Sequence, residues 1–354
     1  MAKWEEYVRN VNPYIPGEQP SGNDIVKLNT NENPYPPCKG VKRVLKGFEC
    51  GDLRLYPDPN STELVNALAE RLNVSSENIF VGVGSDDVLS MAFLTFFGSR
   101  KPILFPDITY SFYDVWADLY NIPYRTKPLD ENFKIKTVDY YDVNGGIVIA
   151  NPNAPTGVFM EISEIEDIVA ANSNSVVIID EAYIDFVGNS CIHLTEKYEN
   201  LLVVQTFSKS RSMAGARIGY AVGDKKLIRY LNEVKFSINS YTMNRLSQKC
   251  GVEAVLDDVY FKQAVHKIVL TRETAKERLS ELGFDFPDSK SNFIFATHKE
   301  VPAAEIFEEL KKRNIYVRYW NKPRINNYLR ITIGTDEQME KLYKALKKIL
   351  SERE

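Results

Sequence analysis

Between about residue 79 and residue 236 the chain alternates short β-branched runs with stretches of helical periodicity, and this alternation constrains the fold more than any other feature. Runs that are apolar at nearly every position suit strands buried on both faces, as in a mostly parallel sheet covered by helices. The pattern predicts strands at IFVGVG (79–84), PILF (102–105), GGIVIANP (145–152), SVVIID (175–180), NLLVVQTF (200–207) and IGYAVG (218–223). It also predicts helices from Ser85 or Asp86 to Phe97, near Tyr110–Leu119, and up to about Asn172. Ser163 and Glu166 have the spacing of a capping box and mark the start of the last of these.

Beyond residue 236 the pattern changes to long amphipathic helices, notably Tyr260–Leu282. A strand NFIFAT (292–297), a helix around Ala303–Arg313, a strand YLRITIG (328–334) and a helix near Glu337–Leu350 follow. This reads as a second, smaller α+β domain, in keeping with a length of 354 residues. The first forty residues are polar and rich in proline, with Asn-Glu-Asn-Pro and Pro36-Pro37, and suit an extended arm. The expected division is an arm over 1–45 packing on the small domain, a large domain over 46–238 and a small domain over 239–354.

A net charge of -4 offers no basic field for a nucleic-acid backbone. Cys38, Cys50, Cys191 and Cys250 form no CxxC pair, and with only three histidines no zinc-type spacing can be assembled. Neither a signal peptide nor a run long enough for a membrane span is visible, so the expectation is a soluble, cytoplasmic protein with reduced thiols.

Three segments fall in order at the ends of predicted strands, where open α/β sheets place their ligands: NPNAPTG (151–157), DEAY (180–183) and TFSKSRSMAGAR (206–217). Asp180 closes an otherwise apolar strand, and a carboxylate buried there needs a positive partner to stay ionised. A helix cap or a metal-binding aspartate is the plainer alternative. In GVGSDD (82–87), Gly82 and Gly84 let the backbone turn closely, while Ser85 and Asp86 begin a helix whose free N–H groups attract phosphate. A nucleotide-binding Rossmann unit shares that pattern, but its third glycine and its ribose-binding acid are missing here. Arg330 alternates with Leu329 and Ile331 on a strand, and its fork suits a carboxylate unless it is an ordinary edge-strand arginine. His193, His266 and His298 have no partner motif and read as structural.

Taken together with NPYIPG (12–17), LNTNENP (28–34), RLYPDP (54–59), PDITYSFY (106–113) and NYLRITIGT (327–335), these segments make the chain resemble the fold-type I pyridoxal-phosphate-dependent aminotransferases. Within them it is most similar to the histidinol-phosphate aminotransferases. The resemblance covers nearly the whole chain and implies pyridoxal 5'-phosphate as cofactor, bound in the large domain. It makes Lys209 the catalytic residue, which attaches the cofactor aldehyde and shuttles the proton. Asp180 would face the protonated pyridine nitrogen, Tyr183 the ring hydroxyl, and Tyr110 the ring face. Ser85, Asp86, Thr206, Ser208 and Arg217 would hold the phosphate, and Tyr56 would reach the phosphate of the neighbouring subunit of a homodimer. The family usually places an asparagine immediately before Pro-Thr-Gly; Ala154 stands there, and Asn153 is the expected substitute. Tyr14, Arg318 and Arg330 match positions that contact substrate.

The implied reaction is transfer of an amino group between L-histidinol phosphate and 2-oxoglutarate, giving imidazole acetol phosphate and glutamate in histidine biosynthesis. An aromatic-amino-acid aminotransferase and a threonine-phosphate decarboxylase are the enzyme alternatives. A nucleotide- or cofactor-binding module without turnover is the other class, and no DNA-binding segment precedes the arm to favour a regulator.

Overall fold

The structure is a computed structural model that describes residues 3–22 and 24–352. Residues 1, 2 and 23 of the expected arm, and 353 and 354 of the expected small domain, lie outside the described residues. The chain enters through a short strand, β1 (Val26–Lys27), and two helices, α1 (Lys39–Gly47) and α2 (Thr62–Leu72). The alternating region then gives β2 (Ile79–Gly82), α3 (Ser85–Phe96), β3 (Ile103–Pro106), α4 (Tyr113–Tyr120), β4 (Tyr124–Lys127), β5 (Ile147–Ala150), α5 (Ile162–Ala171), β6 (Val177–Asp180), β7 (Leu201–Thr206) and β8 (Gly219–Gly223).

These seven strands form one sheet in the order β2-β8-β7-β6-β5-β3-β4. Only β8 runs against its neighbours. Alternate residues of the central strands feed two apolar clusters, one on each face of the sheet. Ile147, Ile149, Val177 and Ile179 pack with Leu64 and Leu68 of α2 and Ile165 and Ile168 of α5. Val148, Ile178, Leu202 and Val204 pack with Val88 and Leu89 of α3 and Trp116 of α4. Burial on both faces is why these strands are apolar throughout. The edge strand β4 is not legible in the sequence: Tyr124, Arg125 and Thr126 are exposed, and parallel pairing with β3 holds them in place.

The rest of the chain forms α6 (Lys225–Ile238), α7 (Arg245–Leu256), α8 (Asp258–Glu281), β9 (Phe284–Asp285), β10 (Phe293–His298), α9 (Ala303–Lys312), β11 (Ile315–Tyr316), β12 (Arg318–Tyr319), β13 (Leu329–Thr332) and α10 (Asp336–Ser351). A small antiparallel sheet runs β12-β13-β10-β9, and β1 pairs in parallel with β11. Val26 and Leu28 pack with Ile315, Ile331 and Leu342 in a separate apolar cluster.

One sequence expectation needs correction. The capping box of α5 is formed by Glu161 and Glu164, not by Ser163 and Glu166. The Glu164 carboxylate accepts the Glu161 N–H at 3.1 Å, so the helix opens at Ile162 and Ser163 falls inside its first turn. The large-sheet core also crosses the expected boundaries at 45 and 238. Cys38 and Val41 at one end, and Cys250, Ala254 and Val255 of α7 at the other, belong to the same cluster as Leu64 and Leu68. The apolar faces of α1, α2 and α7 are satisfied by one another, which no local pattern reveals.

Candidate active site

The ends of β2, β5, β6 and β7 open onto a cavity of about 160 Å³. Each contributes through residues at or just past its last position: Ser85 and Asp86, Ala150, Asp180 and Ala182, and Thr206 and Ser208. Loops add Thr30, Tyr110, Ala154, Tyr183, Lys209 and Arg217. The sheet therefore gathers at one edge residues that lie far apart along the chain.

Asp180 is 5% exposed and closes β6. It accepts the Tyr113 hydroxyl at 2.8 Å and the Ala182 N–H at 3.2 Å, and among the described residues no cation bonds to it. Burial outweighs those two bonds and pushes its carboxyl from the usual 3.8 up to about 6. The same environment raises the Tyr113 phenol well above its ordinary range, first by burial and then by the nearby Asp180 charge. A buried carboxylate of this kind is a ready site for a protonated ring nitrogen. Glu181, next along, is turned to the other side, where its carboxylate accepts Ser190 Oγ, Cys191 N and Gln205 Nε2.

The turn from β2 into α3 is shaped by glycine. Gly84 has φ +88°, and a Cβ there would collide with Arg217 Nη2. Arg217 Nη2 donates to Asp86 Oδ2 at 3.1 Å, and Tyr110 donates to the other oxygen at 2.7 Å. Arg217 Nη1 approaches Ser208 Oγ at 3.4 Å, and Thr206 Oγ1 donates to Ser208 Oγ at 3.0 Å. A guanidinium, hydroxyls and the free N–H groups of a helix start thus converge, a suitable seat for a phosphate. Gly219 of β8 backs this turn: a Cβ on it would run into the backbone of Gly84 and Ser85. Gly219→Ala is expected to displace the start of α3 by backbone collision, at a cost of roughly 1–3 kcal/mol. The melting temperature should fall by several degrees, and affinity for a phosphate-bearing ligand should fall with it, as calorimetry and titration would read; unchanged values in both would refute the close packing.

Lys209 follows β7, and its Nζ donates to the Thr30 carbonyl at 3.2 Å and lies 5.8 Å from the Tyr183 ring centre. Asn33 Nδ2 donates to the carbonyls of Lys209 and Ser210 at 3.0 and 3.1 Å. Ser210 donates to Asp185, which fixes the other side of the loop. The LNTNENP segment therefore reaches the lysine by way of the arm, a role that its sequence does not reveal.

A wider cavity of about 380 Å³ adjoins the first, and Tyr110 and Ala154 line both. Arg330 lines it from β13, between the rings of Phe293 and Trp320 at 5.3 and 5.2 Å. Arg330 Nη2 donates to the Asn29 carbonyl at 2.9 Å, while its Nε is buried with no partner among the described residues. Burial holds its guanidinium below the ordinary value, and its cross-strand neighbour Arg318 adds to that. An unpaired, desolvated N–H on a cation is a strong attraction for a carboxylate or phosphate. Tyr14 lines the same cavity, stacked on Phe112 at 4.2 Å.

Three expected residues stand elsewhere. Asn153 is buried, but its amide donates to Ile108 O and Thr156 Oγ1 and accepts from Thr109 Oγ1, so it ties the loop together while Ala154 faces the cavity. Those local bonds turn its side chain away from the expected ligand contact. Arg318 lines neither cavity: its guanidinium donates to the carbonyls of Ile15 and Pro16 and holds down the arm. Tyr56 is 79% exposed, stacked on Tyr241 at 4.6 Å and outside both cavities. Sequence reasoning missed Thr30, Asn31, Asn33 and Tyr113. The first three lie within LNTNENP, and Tyr113 lies three residues past Tyr110 in PDITYSFY, so their motifs were the available signal.

Among the described residues no helix is long and apolar enough to cross a membrane, and no cluster of histidine, cysteine or carboxylates could hold a metal ion. Residues 23–346 match the family described as Aminotransferase class I and II. The histidinol-phosphate aminotransferase of Lactococcus lactis subsp. cremoris (strain MG1363) is 50% identical over 351 residues, which is 99% of each chain. Among solved structures, the histidinol-phosphate aminotransferase from Clostridium acetobutylicum superimposes with a TM-score of 0.85 at 22% identity, over 92% of this chain and 99% of that one. The histidinol-phosphate aminotransferase of Sinorhizobium meliloti, in complex with pyridoxal-5'-phosphate, gives 0.84 at 22%, over 93% of this chain and 91% of that one. The fold is that of these fold-type I enzymes, and the chain belongs to the class I and II aminotransferase family.

Proposed function

We propose that this protein transfers the amino group of L-histidinol phosphate to 2-oxoglutarate with pyridoxal 5'-phosphate as cofactor, a step of histidine biosynthesis. The observation that carries the reading is a single cavity that holds a lysine amine, Lys209, and a buried carboxylate with no cation partner among the described residues, Asp180, in a chain half identical over nearly its whole length to a histidinol-phosphate aminotransferase.

Pyridoxal phosphate, when bound, supplies an aldehyde that exchanges amines and a ring that withdraws electrons from the substrate Cα. The residues that fit it are those of the smaller cavity. Arg217, Ser208, Thr206 and the start of α3 would hold the phosphate, Asp180 would face the ring nitrogen, and Tyr183 would offer its hydroxyl to the ring oxygen. Tyr110 closes one wall, fixed in place by its hydrogen bond to Asp86. Lys209 Nζ takes the proton from the substrate Cα and returns it on the other side of the exchange. Its present partner is an uncharged backbone carbonyl, a bond that is easily given up.

Both amino-group carriers must use the wider cavity in turn. Arg330, which lines this cavity, binds the carboxylate of 2-oxoglutarate or glutamate, and the phosphate of the amino donor takes the same cavity, whose lining also carries Lys322 and Arg324. Trp320 and Phe293 keep water from the guanidinium. A second copy of the chain completes the site with Tyr56, whose exposure leaves it free to reach a neighbour.

A donor panel tests the reading. With 2-oxoglutarate as acceptor, kcat/KM for L-histidinol phosphate is expected to exceed that for phenylalanine and tyrosine by roughly 10²-fold or more, because each lacks a phosphate for the cationic field. Preference for an aromatic amino acid, or release of carbon dioxide from threonine phosphate, would assign the site to another reaction.

A further inference from the structure

The direction of the hydrogen bonds around Asn31 follows from which atoms can only donate. Asn31 is 1% exposed and lies beside β13. Its backbone N–H donates to Thr332 Oγ1 at 3.0 Å, so that oxygen accepts, and the Thr332 hydroxyl proton goes to Asn31 Oδ1 at 2.9 Å. A flipped amide would leave that buried hydroxyl proton with no acceptor among the described residues. The amide orientation is therefore set, and its Nδ2 faces Tyr183, to whose hydroxyl oxygen it donates at 2.8 Å. The Tyr183 hydroxyl has no other hydrogen-bond partner among the described residues, and Tyr183 lines the smaller cavity beside Lys209. With its oxygen already accepting, the phenol has one proton left to give, and the cavity is where it can go.

We propose that Asn31 is a positioning residue that sets the polarity of the Tyr183 hydroxyl, so that Tyr183 acts as a donor toward an acceptor oxygen of the bound ligand. Two further features brace it. Asn292 Nδ2 donates to the Asn31 carbonyl at 3.0 Å, and the backbone of Asn31 sits at φ +55°, a conformation asparagine tolerates better than most residues. The chain of bonds starts at Thr332 on β13, two positions beyond Arg330, so one strand supports both cavities.

The inference rests on the pyridoxal phosphate reading of the smaller cavity, and the experiment separates the two. Protein stripped of cofactor is titrated with pyridoxal 5'-phosphate and binding is followed by fluorescence. Asn31→Asp is nearly the same size and tolerates the same backbone, but its carboxylate accepts where the amide donated, so it draws the Tyr183 proton away from the cavity. Asn31→Asp is expected to weaken binding about tenfold, the scale of one hydrogen bond to a charged group. Tyr183→Phe should weaken it by a similar factor, and the double variant should be no worse than Tyr183→Phe alone, because Asn31 acts through that hydroxyl. Thr332→Val, which unlocks the amide, should give a smaller loss by the same route and serves if Asn31→Asp does not fold. Losses that multiply in the double variant, or Asn31→Asp binding as tightly as the unaltered protein, would overturn the proposal. Failure of the unaltered protein to bind pyridoxal phosphate would instead overturn the functional reading on which it rests.

Discussion

Replacing Lys209 by alanine is expected to lower transamination by at least roughly 10⁴-fold while leaving the fold in place. The size follows from two losses at one atom: a positioned proton carrier accounts for about 10²–10⁴-fold, and the amine that exchanges with substrate is lost as well. The fold survives because the side chain contributes little to it. Among the described residues Nζ makes one hydrogen bond, to the Thr30 carbonyl, and the loop is held independently by Asn33 on the Lys209 and Ser210 carbonyls and by the Ser210 bond to Asp185. Stability should change by no more than about 1 kcal/mol. Steady-state turnover with histidinol phosphate and a thermal melt check the two halves separately. Turnover within tenfold of the unaltered protein would remove Lys209 from the chemistry, and a collapsed melt would mean that the lysine is structural.

Asp180→Asn should move activity and stability in opposite directions. Its carboxyl titrates at about 6 in the fold against an ordinary 3.8, so the fold prefers the protonated form. With the folded value raised, the favourable contribution is complete below about pH 4 and is lost as pH rises through 6. Above that range the buried charge costs about 3 kcal/mol, the free-energy equivalent of that displacement. Asparagine carries no charge, so at pH 8 the variant stripped of cofactor should be more stable by roughly 1–3 kcal/mol, the lower figure allowing for an imperfect replacement of the Tyr113 bond. At pH 4 the gain should disappear. With cofactor present the variant should turn over roughly 10²–10³-fold more slowly, since the negative charge that holds the ring nitrogen protonated is gone. Urea unfolding at the two pH values and steady-state rates supply the comparison. A variant that is less stable at pH 8 would show that Asp180 is not strained by its charge, and one that keeps its rate would show that it does not face the ring. Asn153→Ala should differ from both: it removes three local bonds and should cost stability with less effect on rate.

Much of this protein is legible in one sequence because its central sheet obeys local rules. Strands β2, β3 and β5 to β8 are short apolar runs because both of their faces are buried, and each is visible as such. Asp180 is legible for a related reason: it closes an apolar run at a strand end, where ligands bind, whereas the roles expected of Lys209 and Arg217 come from the family resemblance. The edge strand β4 and the interlocked helices α1, α2 and α7 are not, since their places depend on partners distant in sequence.

The sequence alone determined the α/β class, the order of the strand ends along the chain, and the residue types gathered at the site. Only the tertiary structure decided which atoms of those residues are free. Asn153 and Arg318 are polar and well placed in sequence, yet their side chains are occupied by neighbouring carbonyls and hydroxyls. Arg330 keeps an unpaired Nε, and Asp180 keeps a carboxylate without a cation among the described residues. Asn31, unremarked within LNTNENP, acquires its role because Thr332, about three hundred positions away, sets the direction of its amide. Hydrogen-bond capacity is a property of a residue type, but how it is used depends on neighbours that folding brings within about 3 Å, and no local pattern encodes them.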